Sequence, residues 1–243
     1  MRSQGTNEEI LENHKVAVVT GASRGLGAVF ARVLAEEGFA VALGARDVSA
    51  IERLAAGLPG PALAHPLDVG DPGSVAAFRN AVLGRFGRVD ALVNNAGIGI
   101  FRRLEEISAE DFALIFRVNV EGAWAVTVAF LSQLKAARGQ VFMISSDVST
   151  RTFPTGGPYT ASKFALRALT RTLQQENPEL RVLELRPGAV DTSFAGSTPG
   201  APGKEWFLRP ETVAETVRFA LRLPPEARVE EVVIRSTGQT PEY

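Results

Sequence analysis

The chain has 243 residues, 45% hydrophobic and 22% charged, with a net charge of −1. Those values describe a globular protein whose core is large enough to need no staples, and they offer no basic run for a nucleic acid or an anionic membrane. With no cysteine and only His14 and His65 as histidines, disulfides are excluded and no metal site is expected.

Residues 1–14 are polar and read as a tail ahead of the first strand. They lack the apolar centre of a signal peptide, and no apolar run reads as long enough to cross a bilayer, so a cytoplasmic location is expected. Residues 15–243 read as one domain. The first strand is Val16-Ala17-Val18-Val19, short, apolar and rich in β-branched residues. It runs into Thr20-Gly21-Ala22-Ser23-Arg24-Gly25-Leu26-Gly27, and then Leu26, Val29, Phe30, Val33 and Leu34 recur at helical spacing up to a stop at Gly38. A glycine loop between a strand and a helix N-terminus presents free N–H groups and the positive end of the helix dipole to a phosphate. Strands follow at 40–45, 62–69 and 89–93, the last leading into Asn94-Asn95-Ala96-Gly97. A long helical pattern then runs from Asp111 to Ala136 with Asn119 inside it. Asn is a mediocre helix former, and the plain reading of Asn119 is a polar residue facing solvent. The strand 140–145 is followed by Ser146, which lies where ligands bind in open α/β sheets, at a strand's carboxyl end. Ser145 should point to the other side.

Pro158 leads into a helix carrying Tyr159 and Lys163, four residues apart and hence on one face. A fixed ammonium near a phenol favours the phenolate, so the pair can form an acid/base unit for an alcohol oxygen. A strand at 182–185 leads to Arg186-Pro187-Gly188-Ala189-Val190-Asp191-Thr192. The stretch from about 193 to 209 is rich in Gly, Pro and Ser and carries Phe194, Trp206 and Phe207; a loop of this length reads either as a lid or as aromatics packed on the sheet edge. A helix from Pro210 to Leu223 and a strand at 231–235 close the chain. Strands alternate with helices throughout, which predicts a doubly wound parallel sheet with helices on both faces.

The loop Thr20–Gly27 (TGxxxGxG), the NNAG at 94–97 and the YxxxK at 159–163 together resemble the short-chain dehydrogenase/reductase family, from about Lys15 to the C-terminus. The resemblance implies a Rossmann-type fold and interconversion of a carbonyl with an alcohol. It implies catalytic roles for Ser146, Tyr159 and Lys163, and for Asn119, which would kink its helix (eased by Gly122) and fix a water in a proton relay. Cofactor contacts are implied for Gly21, Ser23, Arg24, Gly25, Leu26 and Gly27. They extend to Asp68 and Val69 at the adenine, to Asn95, Ala96 and Gly97 beside the ribose, and to Tyr159 and Lys163. Pro187, Gly188, Val190 and Thr192 would hold the nicotinamide side. The family's acidic position at the second strand falls on Ala45, with Arg46 next and Arg24 in the loop. Two guanidiniums suit the 2′-phosphate of NADP; the competing assignment gives the ribose to Asp47 and leaves Arg46 solvated. Asp68 serves either at the adenine or as the cap of the helix after Pro72. A homo-oligomer, dimer or tetramer, is also implied.

For substrate, Ile98, Ile100, Val148, Phe153, Phe194, Trp206 and Phe207 are expected to wall an apolar pocket for a ketone or aldehyde. The alternatives are a 3-oxoacyl-thioester reductase, which would use Arg102, Arg103 and Arg151 at its mouth, and a sensor that binds NADP without turnover. The intact Asn-Ser-Tyr-Lys set argues against the sensor. A sugar-nucleotide epimerase, the third alternative, would be expected to carry a longer C-terminal substrate domain than the single domain read at 15–243.

Overall fold

The computed structural model describes residues 14–239, so of the tail expected at 1–14 only His14 falls within them. Strands β1 (Val16–Thr20), β2 (Ala40–Ala45), β3 (Ala62–Pro66), β4 (Ala91–Asn94), β5 (Gln140–Ile144), β6 (Arg181–Pro187) and β7 (Glu231–Ile234) form a single sheet in the order β3-β2-β1-β4-β5-β6-β7. Every neighbouring pair is parallel. Chain order reverses direction between β1 and β4, and in such sheets the ligand crevice opens at the carboxyl ends of the strands flanking that point.

The helices are α1 (Gly25–Glu36), α2 (Val48–Ala56), α3 (Pro72–Phe86), α4 (Ala109–Phe116), α5 (Ala123–Ala137), α6 (Gly157–Glu176) and α7 (Pro210–Arg222). They cover both faces because the buried strands are apolar in both directions. Ala17, Val19, Val41, Leu43, Val93 and Phe142 pack with Phe30, Leu34, Ile51, Val213 and Val217 on one side. Val18, Ala42, Leu92, Val141 and Met143 pack with Phe78, Val82, Val126, Phe130 and Leu166 on the other. Alternate residues of one strand thus feed opposite cores, as the period of 2 requires.

Two boundaries differ from the sequence reading. β3 stops at Pro66 and does not reach Val69; the Asp68 carboxylate instead accepts from the Gly70 N–H at 2.9 Å and starts a turn. The helix expected at 111–136 begins at Ala109, where the Ser108 hydroxyl accepts from the Asp111 N–H, and it is interrupted by a π-helical segment, Arg117–Gly122. By length and composition Ala109–Ala137 is apolar enough to cross a membrane, contrary to the sequence expectation. Its apolar side chains are divided between the core (Ile115, Val126, Phe130, Leu134) and an exposed face (Phe112, Trp124, Val128).

A charged cluster fixes α6, which carries Tyr159 and Lys163, onto the sheet. Glu184 of β6 is fully buried and accepts from Arg167 of α6 at 2.6 Å. Arg167 also donates to both oxygens of Glu231 on β7, at 2.9 and 3.1 Å, and Arg171 and Arg186 pair with Glu231 too. Arg167, then Arg186, hold the Glu231 carboxyl down at about 2, against the opposing effect of burial. Losing one cation here would strand a buried carboxylate, the costly way to break such a group.

Candidate active site

A cavity of about 1140 Å³ lies along the carboxyl ends of the central strands. Its first wall is the glycine loop. Gly21 and Gly25 are left-handed (φ +63 and +57), a conformation that disfavours side chains. A Cβ on Gly21 would stand 2.9 Å from Ala96 Cα, and one on Gly27 would stand 2.2 Å from the Gly21 carbonyl oxygen. Gly21, Ser23, Arg24, Gly25 and Leu26 border the cavity. Gly27 does not border it: it lies beneath, where its missing side chain lets α1 close on the loop. Asn95 stitches the loop to β4 by donating to the carbonyls of Thr20 (2.9 Å) and Gly21 (3.2 Å). The Thr20 hydroxyl completes the stitch by accepting from the Asn95 and Ala96 N–H groups, both at 3.0 Å. The sequence reading assigned Thr20 no role, although it opens the TGxxxGxG motif and is a hydroxyl ending an apolar strand. The loop is thus a rigid backbone cradle open to the cavity, which fits a pyrophosphate.

At one end of the cavity Arg24 and Arg46 are both exposed and both line the wall. Asp47, the rival for the ribose, also lines the wall, while its Oδ1 caps α2 by accepting from the Ala50 N–H at 3.1 Å and the Ser49 hydroxyl at 3.0 Å. That N-cap holds its carboxyl below the usual range. The capping alternative at Asp68 is not what the structure shows. Asp71 caps α3, accepting from Gly73 and Ser74, while Asp68 and Val69 line the cavity with Asn95, Ala96 and Gly97. Gly122 proves to matter for close packing, because a Cβ there would meet Val69 Cγ2 at 2.7 Å.

Ser146, Tyr159 and Lys163 meet at the other end, beside Pro187, Gly188, Val190 and Thr192. Tyr159 is 9% exposed, with Phe101 edge-on at 5.3 Å between ring centroids and Phe194 at 5.7 Å. Burial pushes its phenol up to about 12; the Ser146 hydrogen bond opposes that and the Asp147 carboxylate adds to it. Burial also pushes Lys163 down to about 8, against the nearby Glu184. The Lys163 ammonium donates to the Ile144 carbonyl at 3.1 Å and stands 5.7 Å from the Tyr159 ring centroid. Lys163 is not among the influences on the phenol in this arrangement: both groups are desolvated, and the ammonium is directed at a backbone carbonyl. Ser146 Oγ accepts from the Val148 N–H at 3.3 Å and donates to Asp147 Oδ1 at 3.4 Å. Arg186 pins this turn by donating to the carbonyls of Ser146 (3.4 Å) and Asp147 (3.2 Å). Ser145, expected to point to the other side, also borders the cavity, its buried hydroxyl without a partner among the described residues.

Asn119 is not in the cavity wall, and it does not face solvent: it is 1% exposed within the π segment. Its amide oxygen accepts from the Ile98 N–H at 2.8 Å, and its nitrogen donates to the Ile98 carbonyl (2.9 Å) and to Ser162 Oγ (3.0 Å). Asn119 thus holds the segment after Gly97 against α6.

Of the expected apolar wall, Ile98, Val148, Phe153, Phe194, Trp206 and Phe207 line the cavity. Ile100 does not; Phe101, one residue on, takes its place. Gly99 makes room for that ring, since a Cβ there would stand 2.9 Å from Phe101 Cζ and 2.8 Å from Phe194 Cε1. Arg151 borders the cavity, whereas Arg102 and Arg103 pair with Asp111 and Glu105 outside it. The 193–209 loop is pinned at its base, where the Leu208 N–H donates to Ala189 at 2.9 Å and the Asp191 N–H to Leu208 at 2.8 Å. Its rings line the cavity, which favours the lid reading over edge packing. Among the described residues no cluster of three or more His, Asp or Glu side chains gathers to hold a metal.

A phosphate cradle at the topological switch point, with a buried hydroxyl–phenol–ammonium group beyond it, defines a dinucleotide-binding α/β protein. The model of the short chain dehydrogenase family matches residues 15–201, and the chain belongs to that family. An alcohol dehydrogenase from the archaeon Thermococcus sibiricus, solved with 5-hydroxy-NADP, is 50% identical with a TM-score of 0.91, covering 95% of this chain and 100% of that one. A metagenomic short-chain oxidoreductase solved with NADP is 32% identical (TM-score 0.77; 93% and 98% covered). A 3-ketoacyl-(acyl-carrier-protein) reductase of Brucella melitensis solved with NADH is 29% identical (TM-score 0.84; 92% and 97% covered). The chain is an NAD(P)-dependent oxidoreductase.

Proposed function

We propose that the protein reduces an apolar ketone or aldehyde to its alcohol, and the reverse, with NADP(H). The observation that carries this is one cavity with two charged or polar ends: Arg24 and Arg46 at one, Ser146, Tyr159 and Lys163 at the other. Arg24 and Arg46 hold the 2′-phosphate; Asp47 borders the same end, but its Oδ1 is engaged as the cap of α2, which supports the two arginines as the recognition groups. Gly21 to Leu26 carry the pyrophosphate, Asp68 and Val69 the adenine, and Pro187 to Thr192 the nicotinamide side. When bound, the nicotinamide supplies or takes the hydride. Tyr159 gives its proton to the carbonyl oxygen. Ser146 Oγ hydrogen-bonds that oxygen and stabilises its developing charge. Lys163 steadies the ribose and the phenol's proton supply, and Asn119 fixes the backbone that borders the relay. Phe101, Phe153, Phe194, Trp206 and Phe207 exclude water and favour an apolar or aromatic substituent.

The alternative is a 3-oxoacyl-thioester reductase. Of the three arginines it would use, only Arg151 borders the cavity, which favours the smaller apolar carbonyl. We also infer a homo-oligomer, because Phe112, Trp124, Val128 and Phe164 leave apolar surface exposed on α4, α5 and α6; a monomeric mass in sedimentation at micromolar concentration would refute it. The function is tested by titrating NADPH and NADH, then following NADPH loss with ketones, aldehydes and oxoacyl thioesters. Turnover of an apolar ketone or aldehyde with NADPH is expected. Tight NADPH binding with no turnover of any carbonyl would overturn the enzymatic assignment, and turnover confined to the thioesters would select the alternative.

A further inference from the structure

Beyond β7 the chain re-enters the cavity through one side chain, Gln239. Its amide nitrogen donates to Asp147 Oδ2 at 2.7 Å, and its amide oxygen accepts from the Ala189 N–H at 3.4 Å. These partners belong to two different walls. Asp147 follows Ser146 and is 3% exposed. Its Oδ2 also accepts from Arg151 Nη2 (2.7 Å) and Arg235 Nε (3.2 Å), while Oδ1 takes the Ser146 hydroxyl at 3.4 Å. Ala189 sits inside the loop from Pro187 to Thr192. The amide is directional: a donor meets a carboxylate and an acceptor meets an N–H, so reversing it would set oxygen against oxygen. Gln239 also fills the space over Gly188, where a Cβ would stand 2.2 Å from its amide oxygen. The segment itself is fixed at Gly238, whose Cβ would stand 2.6 Å from Trp206 Cβ.

We propose that Gln239 is a positioning residue: its amide ties the Ser146–Asp147 turn to the nicotinamide-side loop and so sets the carbonyl oxygen's anchor relative to the cofactor. Nothing in the short sequence motifs marks it, because it lies 93 residues after Ser146, counted from the two positions. The consequence is large for a single bond. A misplacement of about 1 Å between reacting partners costs roughly a hundredfold in rate.

The inference rests on the NADP reading, so NADPH affinity is measured first, by fluorescence titration of the wild-type chain. The same titration, with kcat and KM on the best carbonyl and a thermal melt, is then run on Gln239→Ala, Gln239→Glu, Asp147→Asn and the double variant that joins the last two. Gln239→Glu faces a carboxylate with a carboxylate; we expect NADPH affinity to fall about tenfold and kcat at least tenfold, the scale set by breaking a charge-assisted hydrogen bond. In the double variant the amide at position 147 relieves the repulsion from the new carboxylate at position 239, but Arg151 and Arg235 lose the oxygen they share with Gln239. Partial recovery is expected: the two losses should combine to clearly less than their sum in free energy, the mark of direct coupling. Gln239→Ala and Gln239→Glu both within about twofold of wild type in affinity and kcat would overturn the inference. So would a double variant whose loss equals the sum of the two single losses in free energy. A lower melting temperature with affinity and kcat unchanged would reduce Gln239 to a packing role and likewise overturn it. A wild-type chain that does not bind NADPH would refute the functional reading and this inference together.

Discussion

Replacing Asn119 by Ala tests how the kinked helix builds the site. The variant removes three hydrogen bonds, two of them to both main-chain groups of Ile98. The third, to Ser162 Oγ, matters less, because that hydroxyl keeps its bond to the Tyr159 carbonyl at 2.6 Å. Ile98 is only partly buried, so water reaches its freed groups and the cost sits towards the lower end of the range for unsatisfied polar atoms. We expect a loss of about 2–4 kcal/mol. At roughly 2–4 °C per kcal/mol for a chain of this size, the melting temperature should fall by about 5–15 °C. Activity should fall further than stability accounts for, because the freed segment carries Phe101, which packs on Tyr159, and Gly97, whose Cβ would stand 3.8 Å from Lys163 Nζ. The assay is a thermal melt beside kcat measured well below the transition. A variant melting within about 1 °C of wild type with unchanged kcat would refute the reasoning, since three hydrogen bonds, one of them buried, cannot be removed without cost.

Tyr159→Phe should lose nearly all turnover yet bind NADPH normally by fluorescence titration; a near-normal rate would remove Tyr159 as the acid. Arg46→Asp should swing the ratio of kcat/KM for NADPH over NADH towards NADH by about tenfold or more, the worth of one charge-assisted hydrogen bond removed and one repulsion introduced. An unchanged ratio would sink the 2′-phosphate assignment. Lys163 supplies a pH prediction. Its folded value of about 8 lies below the ordinary 10.5, so between those values the unfolded chain binds more protons and stability should rise with pH. In Lys163→Met that rise disappears, so wild type should gain stability relative to the variant from pH 8 to 10.5, measured by urea unfolding. A difference independent of pH would contradict the burial of the charge.

Local chemistry explains what was legible in the sequence. β1 and β2 read correctly because apolar runs bounded by glycine have one plausible conformation in a buried parallel sheet. Tyr159, Lys163 and Ser146 read correctly as neighbours because a helix turn and a strand end fix where they point. Asn119 showed only as a poor helix former; its Ile98 and Ser162 partners lie 21 and 43 residues away, beyond any local pattern. Phe101 was missed by one position because loop conformation, set by the bare backbone at Gly99, decides which side chain turns inwards. Asp147 was read only as the residue after Ser146. Arg151 is a local partner four residues on, but the convergence of Arg235 and Gln239 on it comes from the return of β7 to the sheet edge, a tertiary fact with no sequence period.

The electrostatics of the pair say what the site does best. Burial favours the neutral form of both partners, and a phenol titrating at about 12 is ionised in roughly one molecule in a hundred thousand at pH 7. A unit charge about 5 Å away, at an effective dielectric near 20, is worth about 3 kcal/mol, or roughly a hundredfold in an ionisation constant. Lys163, brought to bear in full, would therefore return Tyr159 only to its ordinary range near 10. Giving a proton to a carbonyl uses the neutral phenol, the form that burial favours; taking one from an alcohol uses the phenolate, the minor form here. The Ser146 hydroxyl has one proton, which in this structure goes to Asp147 Oδ1 at 3.4 Å, so a carbonyl oxygen would have to draw it from that carboxylate. The reaction in either direction therefore turns on how the bound cofactor and substrate rearrange the few donors around this pair.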